Sequence, residues 1–532
     1  MAPVQFQDTP QRAVQVCSHC KNIKKGCDKK LPSCSQCIKR HAICRYGDTP
    51  EPRRYGDELV KAAQKPGVTR PVSPWASLPR PALGRMNPSI RLSILMINSM
   101  SDILYSDPLG SSGASSVDSI FHSQVGHILH ASGQTVEGVV SAHFSGVHNW
   151  LPIISKKRFY DRFQYSRSLP TADFSILLLA MHLIEQRPSS NLEAEQDREV
   201  LYLATRTLFT QVQTFVPSSM CLVQTGVILA RYEHGHGMID AAYVTIGTSA
   251  RLAFAIGIDN AQCSRELHGS DAWFDEEEAL ATWWGLVICD RNIICDTRMQ
   301  GRPLSTRPIR DDDCIPLEPA DLAGDVDFSK TPAQRYPVSA ISLPSVGSFG
   351  KEAEAAYLLD KVLAVVASRE TSDKAFITLG CELQMLLATV VDSSAGDAGS
   401  YCGATQIIIV GLYFLHGSAA MDLDITNRPE WIRITLSTIT RMVIDLCYSF
   451  NKYTADFLDI AVMSPTLQHI ARCAREHIIT CVDLQDTQWQ QDLEELRKIL
   501  RHYNKRWTAA GMCFMNVSTF FADRLQPMNF GF

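Results

Sequence analysis

From about residue 141 onward, apolar residues recur at steps of three and four, and the alternation typical of β-strands is scarce. Such spacing places the apolar side chains on one face of an α-helix. One predicted helix covers Met238 to Ile256, and Gly257 follows it as a C-terminal cap. The pattern therefore predicts an all-α fold with a large multi-helical body.

A second apolar helix is predicted around Trp283 and Trp284, ending before the turn at residues 301–303. Asp275 and Glu278 have the spacing of a capping box and predict the start of this helix. Both helices are apolar over most of their surface. They must therefore pack against other helices to be stable.

Near the C-terminus, six apolar side chains follow one another in steps of four and three. These are Trp489, Leu493, Leu496, Leu500, Tyr503 and Trp507. The pattern covers nearly three heptads, which is short for a coiled coil. Packing within the helical body is the favoured interpretation, and a dimer seam is the alternative.

The composition is that of a globular protein: 532 residues, of which 45% are hydrophobic and 20% charged. These values exclude a collagen-like repeat, a chain disordered throughout and a polytopic membrane protein. The longest apolar runs, such as residues 407–415, are about half as long as the ~20 residues that cross a bilayer. No membrane partner is expected. The N-terminus has no apolar signal region, so we expect the chain to remain inside the cell.

Proline interrupts the chain between residues 46 and 88. Pro50, Pro52, Pro66, Pro71, Pro74, Pro79 and Pro81 exclude a sustained helix there. Five regions are predicted from these shifts in pattern. They are a disordered tail (1–16), a cysteine-rich domain (17–46), a proline-rich linker (47–90), a helical domain (91–340) and a C-terminal helical region continuing the body (341–532).

Charge is distributed unevenly. The window from Cys17 to Arg45 holds eight basic side chains and one acid, Asp28, for a net charge of +7. Since the whole chain carries −5, the remainder carries −12. This asymmetry is typical of a basic recognition element joined to an acidic body. The basic residues are Lys21, Lys24, Lys25, Lys29, Lys30, Lys39, Arg40 and Arg45.

Six of the 17 cysteines lie in the same window. The spacing Cys-x2-Cys-x6-Cys occurs twice, as Cys17, Cys20, Cys27 and again as Cys34, Cys37, Cys44. A Cys-x2-Cys pair at the start of a helix can hold one soft tetrahedral cation. Six thiolates satisfy two zinc ions only if two sulfurs bridge, so the spacing predicts a two-zinc cluster built on two short helices. Gly26 is predicted to end the first helix as a left-handed cap.

The run CSHCKNIKKGCDKKLPSCSQCIKRHAICRY resembles the binuclear zinc-cluster DNA-binding domain of fungal transcription factors. The resemblance implies that Cys17 and Cys34 bridge the two zinc ions. It also implies that the end of the first helix enters the major groove, where Lys24 contacts a CGG-type triplet. Lysine and arginine donors to guanine are the commonest specific contact. The neighbouring cations are expected to contact phosphates: Lys21, Lys25, Lys29, Lys30 and Arg45.

A second resemblance covers about residues 141–320. The segments HFSGVHNWLPIISKKRF, AAYVTIGTSARLAFAIGI and TWWGLVICDRNIICDTRMQGRP resemble the fungal-specific transcription factor domain, or middle homology region. This resemblance implies a regulatory body without chemistry of its own. Arg251, Asp290 and Arg291 match its recurring polar positions, and we expect them to form internal ion pairs.

The resemblances together imply a zinc-dependent, sequence-specific transcription factor in the nucleus. It is expected to act as an RNA polymerase II activator, to bind double-stranded promoter DNA and to contact the transcription machinery, and a homodimer is an alternative to a monomer. Control of a fungal biosynthetic or metabolic gene cluster is part of this hypothesis.

An enzyme is the competing class. The chain contains no G-x-S-x-G elbow, no Walker-type phosphate loop and no H-E-x-x-H helix, so no catalytic residue is predicted. The segment Glu233-His234-Gly235-His236 contains metal-ligating residue types. It is expected instead to form a polar turn between two helices. A body that binds a small effector without turning it over is a further alternative.

Overall fold

Helices make up almost all of the regular structure in the described part of the chain. The computed structural model describes residues 16–31, 33–40, 44, 113–165, 169–260, 271–296, 299, 301–318, 335–343, 345–368, 373–393, 402–418, 429–453, 464–465, 467–481 and 487–511. Within these ranges the only β-pairing is an isolated bridge between Cys314 and Pro337. The predicted all-α fold class is confirmed. The linker predicted over 47–90 lies outside the described residues, as does the tail up to residue 15.

Internal contacts divide the chain into two units, Met1–Pro81 and Ala82–Phe532. In the first unit, helix α1 covers Ser18–Asn22 and helix α2 covers Ser35–Lys39. The buried hydrophobic positions described there are four cysteines, Cys17, Cys20, Cys34 and Cys37. The aliphatic side chains are not part of a core: Leu31 is 44% exposed and Ile38 is 60% exposed. A unit built in this way needs a metal or another cross-link to be stable.

The second unit begins with a first group of helices. They are α3 (Gly113–Ala131), α4 (Val136–Ser145), α5 (Lys156–Tyr165), α6 (Ala172–Ile184), α7 (Leu192–Phe215), α8 (Met220–Gly235), α9 (Ile239–Ile256) and α10 (Asp271–Ile294). Helices α6 and α8 are central: α6 packs against α3, α4, α7 and α8, and α8 also contacts α9 and α10. Both are buried on nearly every side, as expected of helices that are apolar all round.

A second group of helices completes this unit. They are α11 (Ser348–Ser368), α12 (Asp373–Ser393), α13 (Cys402–Ser418), α14 (Glu430–Tyr453), α15 (Leu467–Cys481) and α16 (Thr487–Tyr503). Helix α13 packs against α11, α12, α14 and α15, and α10 contacts α11 to join the two groups. One hydrophobic core runs through both, from Phe121 to Ala510.

Two predictions about helix packing are confirmed. Helix α9 ends at Ile256, and Gly257 follows with a left-handed φ of 76° that an L-residue adopts only at a cost. The seam predicted near the C-terminus is buried within the same unit. Leu496, Leu500 and Trp507 are inaccessible to solvent, and Trp489 packs against the same core.

Two predictions about helix ends are wrong. Helix α10 begins at Asp271, so Asp275 and Glu278 lie inside it and form no capping box. Asp275 instead accepts a 2.8 Å hydrogen bond from Arg158 Nε, and Glu278 accepts one of 3.1 Å from the backbone of Ser155. Both carboxylates therefore accept hydrogen bonds from residues that are distant in sequence, Arg158 on α5 and Ser155 just before it.

The segment from Glu233 to His236 is not a polar turn. Helix α8 continues to Gly235, and Glu233, His234 and His236 are all buried. The Trp507 ring covers this end of the helix so closely that a Cβ on Gly235 would overlap it. Long-range packing therefore buries residues whose polarity indicates exposure.

The ion-pair prediction is confirmed for Asp290 and Arg291. Both are buried on α10, and Arg291 Nη2 donates to Asp360 of α11 at 2.7 Å. Asp290 accepts hydrogen bonds from the backbone of Ser305 and Thr306 at 3.0 and 2.9 Å. These contacts hold α10 against α11 and against the loop that follows α10, which contains Ser305 and Thr306.

For Arg251 the prediction is wrong. Its side chain is exposed on α9 and forms no ion pair with a described residue. The buried face of α9 consists of small and aliphatic residues, including Ile246, Ala250 and Ala253. Arg251 lies beside that face in the sequence but outside it on the helix, which explains its exposure.

Among the described residues, one segment is long and apolar enough to span a membrane, Lys374–Ser393 in α12. One side of this helix belongs to the hydrophobic core, where Leu383, Leu386 and Val390 are buried. Core helices of globular proteins pass the same length and composition test.

Candidate metal centre and nucleic-acid interface

The six predicted ligand cysteines lie together. The sulfurs of Cys17, Cys20, Cys27 and Cys34 lie within 4.8 Å of one another, and so do those of Cys17, Cys34, Cys37 and Cys44. The two sets share Cys17 and Cys34. No other group of three or more potential metal-ligating side chains is found among the described residues.

The spacing of the sulfurs fits two tetrahedral zinc ions. Zinc–thiolate bonds of about 2.3 Å place two sulfurs on one tetrahedral ion about 3.8 Å apart. The Cys17–Cys34 sulfurs are 3.7 Å apart, and the Cys17–Cys37 and Cys20–Cys34 pairs are each 3.6 Å apart. Burial raises the pKa of the Cys20 thiol to about 12. A bound cation is therefore needed to keep the Cys20 sulfur as a thiolate at neutral pH.

Helix capping explains why the two shared cysteines occupy equivalent places. Cys17 and Cys34 are the N-caps of α1 and α2, with nearly identical backbone angles. Each thiol accepts a 3.4 Å hydrogen bond from the backbone N–H three residues later, at Cys20 and Cys37. The 17-residue repeat in the sequence thus appears as two equivalent helix starts.

Asp28 joins the two halves of the unit. Ser35 donates to its carboxylate from the hydroxyl at 2.6 Å and from the backbone N–H at 3.0 Å. These hydrogen bonds, with Lys30, hold the pKa of Asp28 below its usual value. Asp28 is thereby kept ionised at the start of α2. Its structural role was not predicted, although its position as the only acid in the basic window was a usable signal.

The end of α1 determines the position of Lys24. Lys24 has a left-handed φ of 49°, its N–H donates to Lys21 O, and the N–H of Lys25 donates to Cys20 O. These two bonds form a Schellman motif with Lys24 at the position that usually holds glycine. Gly26 does not have a positive φ, so the prediction that it caps the helix is wrong. The helix ends earlier because the chain must turn back to bring Cys27 to the other sulfurs.

The basic side chains follow α1 and the segment after it. Lys21, Lys24, Lys25 and Lys30 are exposed, and Lys29 is half-buried with a left-handed φ of 59°. Arg45 lies outside the described residues. The described lysines combine high positive charge with solvent access, which suits contact with a polyanion.

Comparisons with known proteins agree with this geometry. The sequence profile of the fungal Zn(2)-Cys(6) binuclear cluster domain matches residues 15–53, and that of the fungal specific transcription factor domain matches residues 140–375. Transcription factor BOA15 of Botryotinia fuckeliana (strain B05.10) is 31% identical over 136 residues, which cover 26% of this chain and 74% of that protein. These similarities include both the cysteine window and much of the helical body.

Proposed function

Since the chain belongs to the fungal zinc-cluster transcription factors, we propose that its two-zinc cluster presents Lys24 to the bases of promoter DNA. Membership of this family makes it a DNA-binding regulatory protein with two zinc ions. The proposed ligands of one ion are Cys17, Cys20, Cys27 and Cys34. Those of the other are Cys17, Cys34, Cys37 and Cys44. The overlap of the two sulfur sets at Cys17 and Cys34 is the observation that carries this proposal.

The zinc ions supply structure, and the protein supplies recognition. The Schellman motif leaves Lys24 exposed at the end of α1, where its ammonium group is available to guanine O6 and N7. The proposed phosphate contacts are Lys21, Lys25, Lys29, Lys30 and Arg45. Phosphate contacts set the register on the duplex, whereas a base contact determines the sequence preference.

The finer functional hypotheses concern the cellular role. We propose that the protein acts in the nucleus as an RNA polymerase II activator, without catalytic activity, and that it controls a biosynthetic or metabolic gene cluster. The family assignment supports the regulatory role. Genome-wide mapping of the tagged protein, compared with a Cys27→Ala variant, would identify the bound promoters. Loss of all promoter signals in Cys27→Ala, with the body still folded, is the expected result.

The base-reading role of Lys24 is tested by comparing two lysines of the same charge. Lys24→Ala and Lys39→Ala each remove one exposed cation, from the first and second half of the cluster respectively. In gel-shift titrations, Lys24→Ala should weaken binding to CGG-containing DNA by roughly 10- to 100-fold, while binding to scrambled DNA changes little. Lys39→Ala should weaken both by a similar small factor. Identical discrimination in the two variants would remove Lys24 from the proposed site.

A further inference from the structure

Helix α12 is apolar on two opposite sides. One side is buried against α11 and α13, and its core residues are Phe376, Leu379, Leu383, Leu386 and Val390. The other side faces solvent and is also mainly apolar. Its residues are Ile377, Cys381, Met385, Ala388 and Val391, with the polar Thr378 and Gln384 among them. Ile377 and Met385 are 53% and 58% exposed.

Other surface helices of the body have more mixed outer faces. The exposed side of α16 carries Lys498 and Arg501. That of α14 carries the charged Arg433 and Asp445 beside the apolar Trp431, Ile434 and Leu446. A solvated helix normally has such a polar outer face. An outer face that is mainly apolar along a whole helix is instead typical of a surface that is covered by a partner.

The charges on α12 indicate which partner fits. Lys374 and Asp392 are both exposed and lie five helical turns apart, so they project from the same side of the helix at its two ends. Their midpoint in the sequence is Leu383. If two α12 helices pair antiparallel about a two-fold axis at that midpoint, Lys374 of each copy meets Asp392 of the other. The same register places Cys381 opposite Met385.

We propose that the exposed face of α12 is a homodimer interface in which two copies of this chain pair antiparallel. The face is complementary to itself in both respects, because an apolar stripe meets an apolar stripe and each basic end meets an acidic end. An isologous contact of this kind closes with two-fold symmetry and leaves no unpaired copy of the surface. A lipid bilayer supplies no such pairing for the two charged ends. This inference goes beyond the proposed DNA contacts and does not depend on them.

The interface is small, since it consists of one helix from each copy. Contacts of this size lie at the low end of specific interfaces, and we expect a dissociation constant of roughly micromolar order. Such a dimer forms readily when both copies are held close together, as on neighbouring DNA sites, because the effective concentration then rises to about millimolar.

Charge reversal tests the pairing on the zinc-loaded full chain in the absence of DNA. Sedimentation velocity from about 1 to 100 μM should show a monomer–dimer equilibrium for the wild type. Lys374→Glu and Asp392→Lys each place like charges together at both ends and should weaken dimerisation at least about tenfold. The double variant restores opposite charges and should recover most of the affinity. Val244→Lys, at an equally exposed apolar position on α9, is the matched control and should change nothing.

The register is tested by cross-linking. Met385→Cys places a thiol opposite Cys381 of the second copy, so mild oxidation should produce a disulfide-linked dimer. Adding Cys381→Ser should abolish it. A wild-type chain that stays monomeric at 100 μM would overturn the proposal, as would a dimer that is insensitive to the charge reversals. Flotation of the monomeric wild type with phosphatidylcholine–phosphatidylserine vesicles would overturn it too, and would assign the face to a membrane.

Discussion

The zinc cluster and the helical body obtain their stability from different sources. In the cluster, the buried positions described are cysteines, and the aliphatic side chains Leu31 and Ile38 are exposed. In the body, one hydrophobic core extends from Phe121 to Ala510. Metal–thiolate bonds replace the hydrophobic effect in the first unit, whereas burial of apolar surface stabilises the second. A small domain stabilised in this way can use nearly its whole surface for recognition.

The two units also use charge differently. Most of the described basic side chains of the cluster are exposed to solvent. In the body, several charges are buried and paired inside: Arg291 with Asp360, Lys351 with Glu354, and Arg472 with Asp296. Exposed basic side chains contribute little to folding stability, whereas a buried charge destabilises the fold unless it is paired. Charged side chains are therefore expected to bind a partner in the cluster and to stabilise the fold in the helical body.

Removing zinc should have the largest effect, because it should unfold the cluster and leave the body folded. Structural zinc contributes about 10–16 kcal/mol in small fingers, so a strong chelator should unfold the cluster and abolish specific DNA binding. The body should keep its melting temperature. No tryptophan lies between Cys17 and Cys44, so tryptophan fluorescence follows the rest of the chain. A fall in that melting temperature on chelation would contradict the independence of the two units.

Breaking the buried ion network should affect the body next most strongly. Arg291→Ala leaves Asp290 and Asp360 without their cation and should lower the free energy of unfolding by about 3–5 kcal/mol. Arg251→Ala, on the exposed side of α9, should change it by less than about 0.5 kcal/mol. Urea unfolding followed by tryptophan fluorescence compares the two. Equal effects would refute the assignment of Arg291 as the structural arginine.

Acid should destabilise the body through its buried histidines. Burial lowers the pKa of His143 to about 3 and that of His182 and His416 to about 4. The unfolded chain has the higher pKa, about 6.5, and therefore binds more protons as the pH falls. Stability is fully present above pH 6.5 and is lost towards pH 4, by about 1.4 kcal/mol per pH unit for each histidine.

Unfolding measured at pH 7, 6 and 5 tests this dependence. His143→Gln should reduce the change in unfolding free energy per pH unit by the contribution of one histidine. His127→Gln, at an exposed position on α3, should leave this pH dependence unchanged. A slope unaffected by His143→Gln would show that this histidine is not held neutral by burial.

The smallest expected effect concerns the backbone of Lys24. A non-glycine residue in the left-handed region costs about 1 kcal/mol, so Lys24→Gly should stabilise the zinc-loaded cluster by about that amount while losing the base contact. Lys25→Gly, where φ is not positive, should give no such gain. Competition with a zinc chelator measures stability, and gel shifts measure binding. If Lys24→Gly retained specific binding, the side chain would have no role in recognition.

Much of the fold follows from local pattern. The helical periodicity indicates an all-α body, and the Gly257 cap and the packing of Trp507 agree with it. The internal pairing of Asp290 and Arg291 was implied by the resemblance to the fungal-specific transcription factor domain. Other features could not be predicted in this way. The lysine at the end of α1 takes the position expected of Gly26, because the length of that helix is set by where Cys27 must reach.

The sequence by itself determined that this chain combines a basic two-zinc cluster with an acidic helical body, because cysteine spacing, charge and helical period are all local properties. Tertiary structure alone decided whether Arg251 and the segment ending at His236 are buried, and which helix faces remain exposed. Arg251 is exposed, the segment ending at His236 is covered, and α12 has apolar residues on both its buried and its exposed side. The physical reason is that burial depends on neighbours far away in the chain, and no local pattern records them.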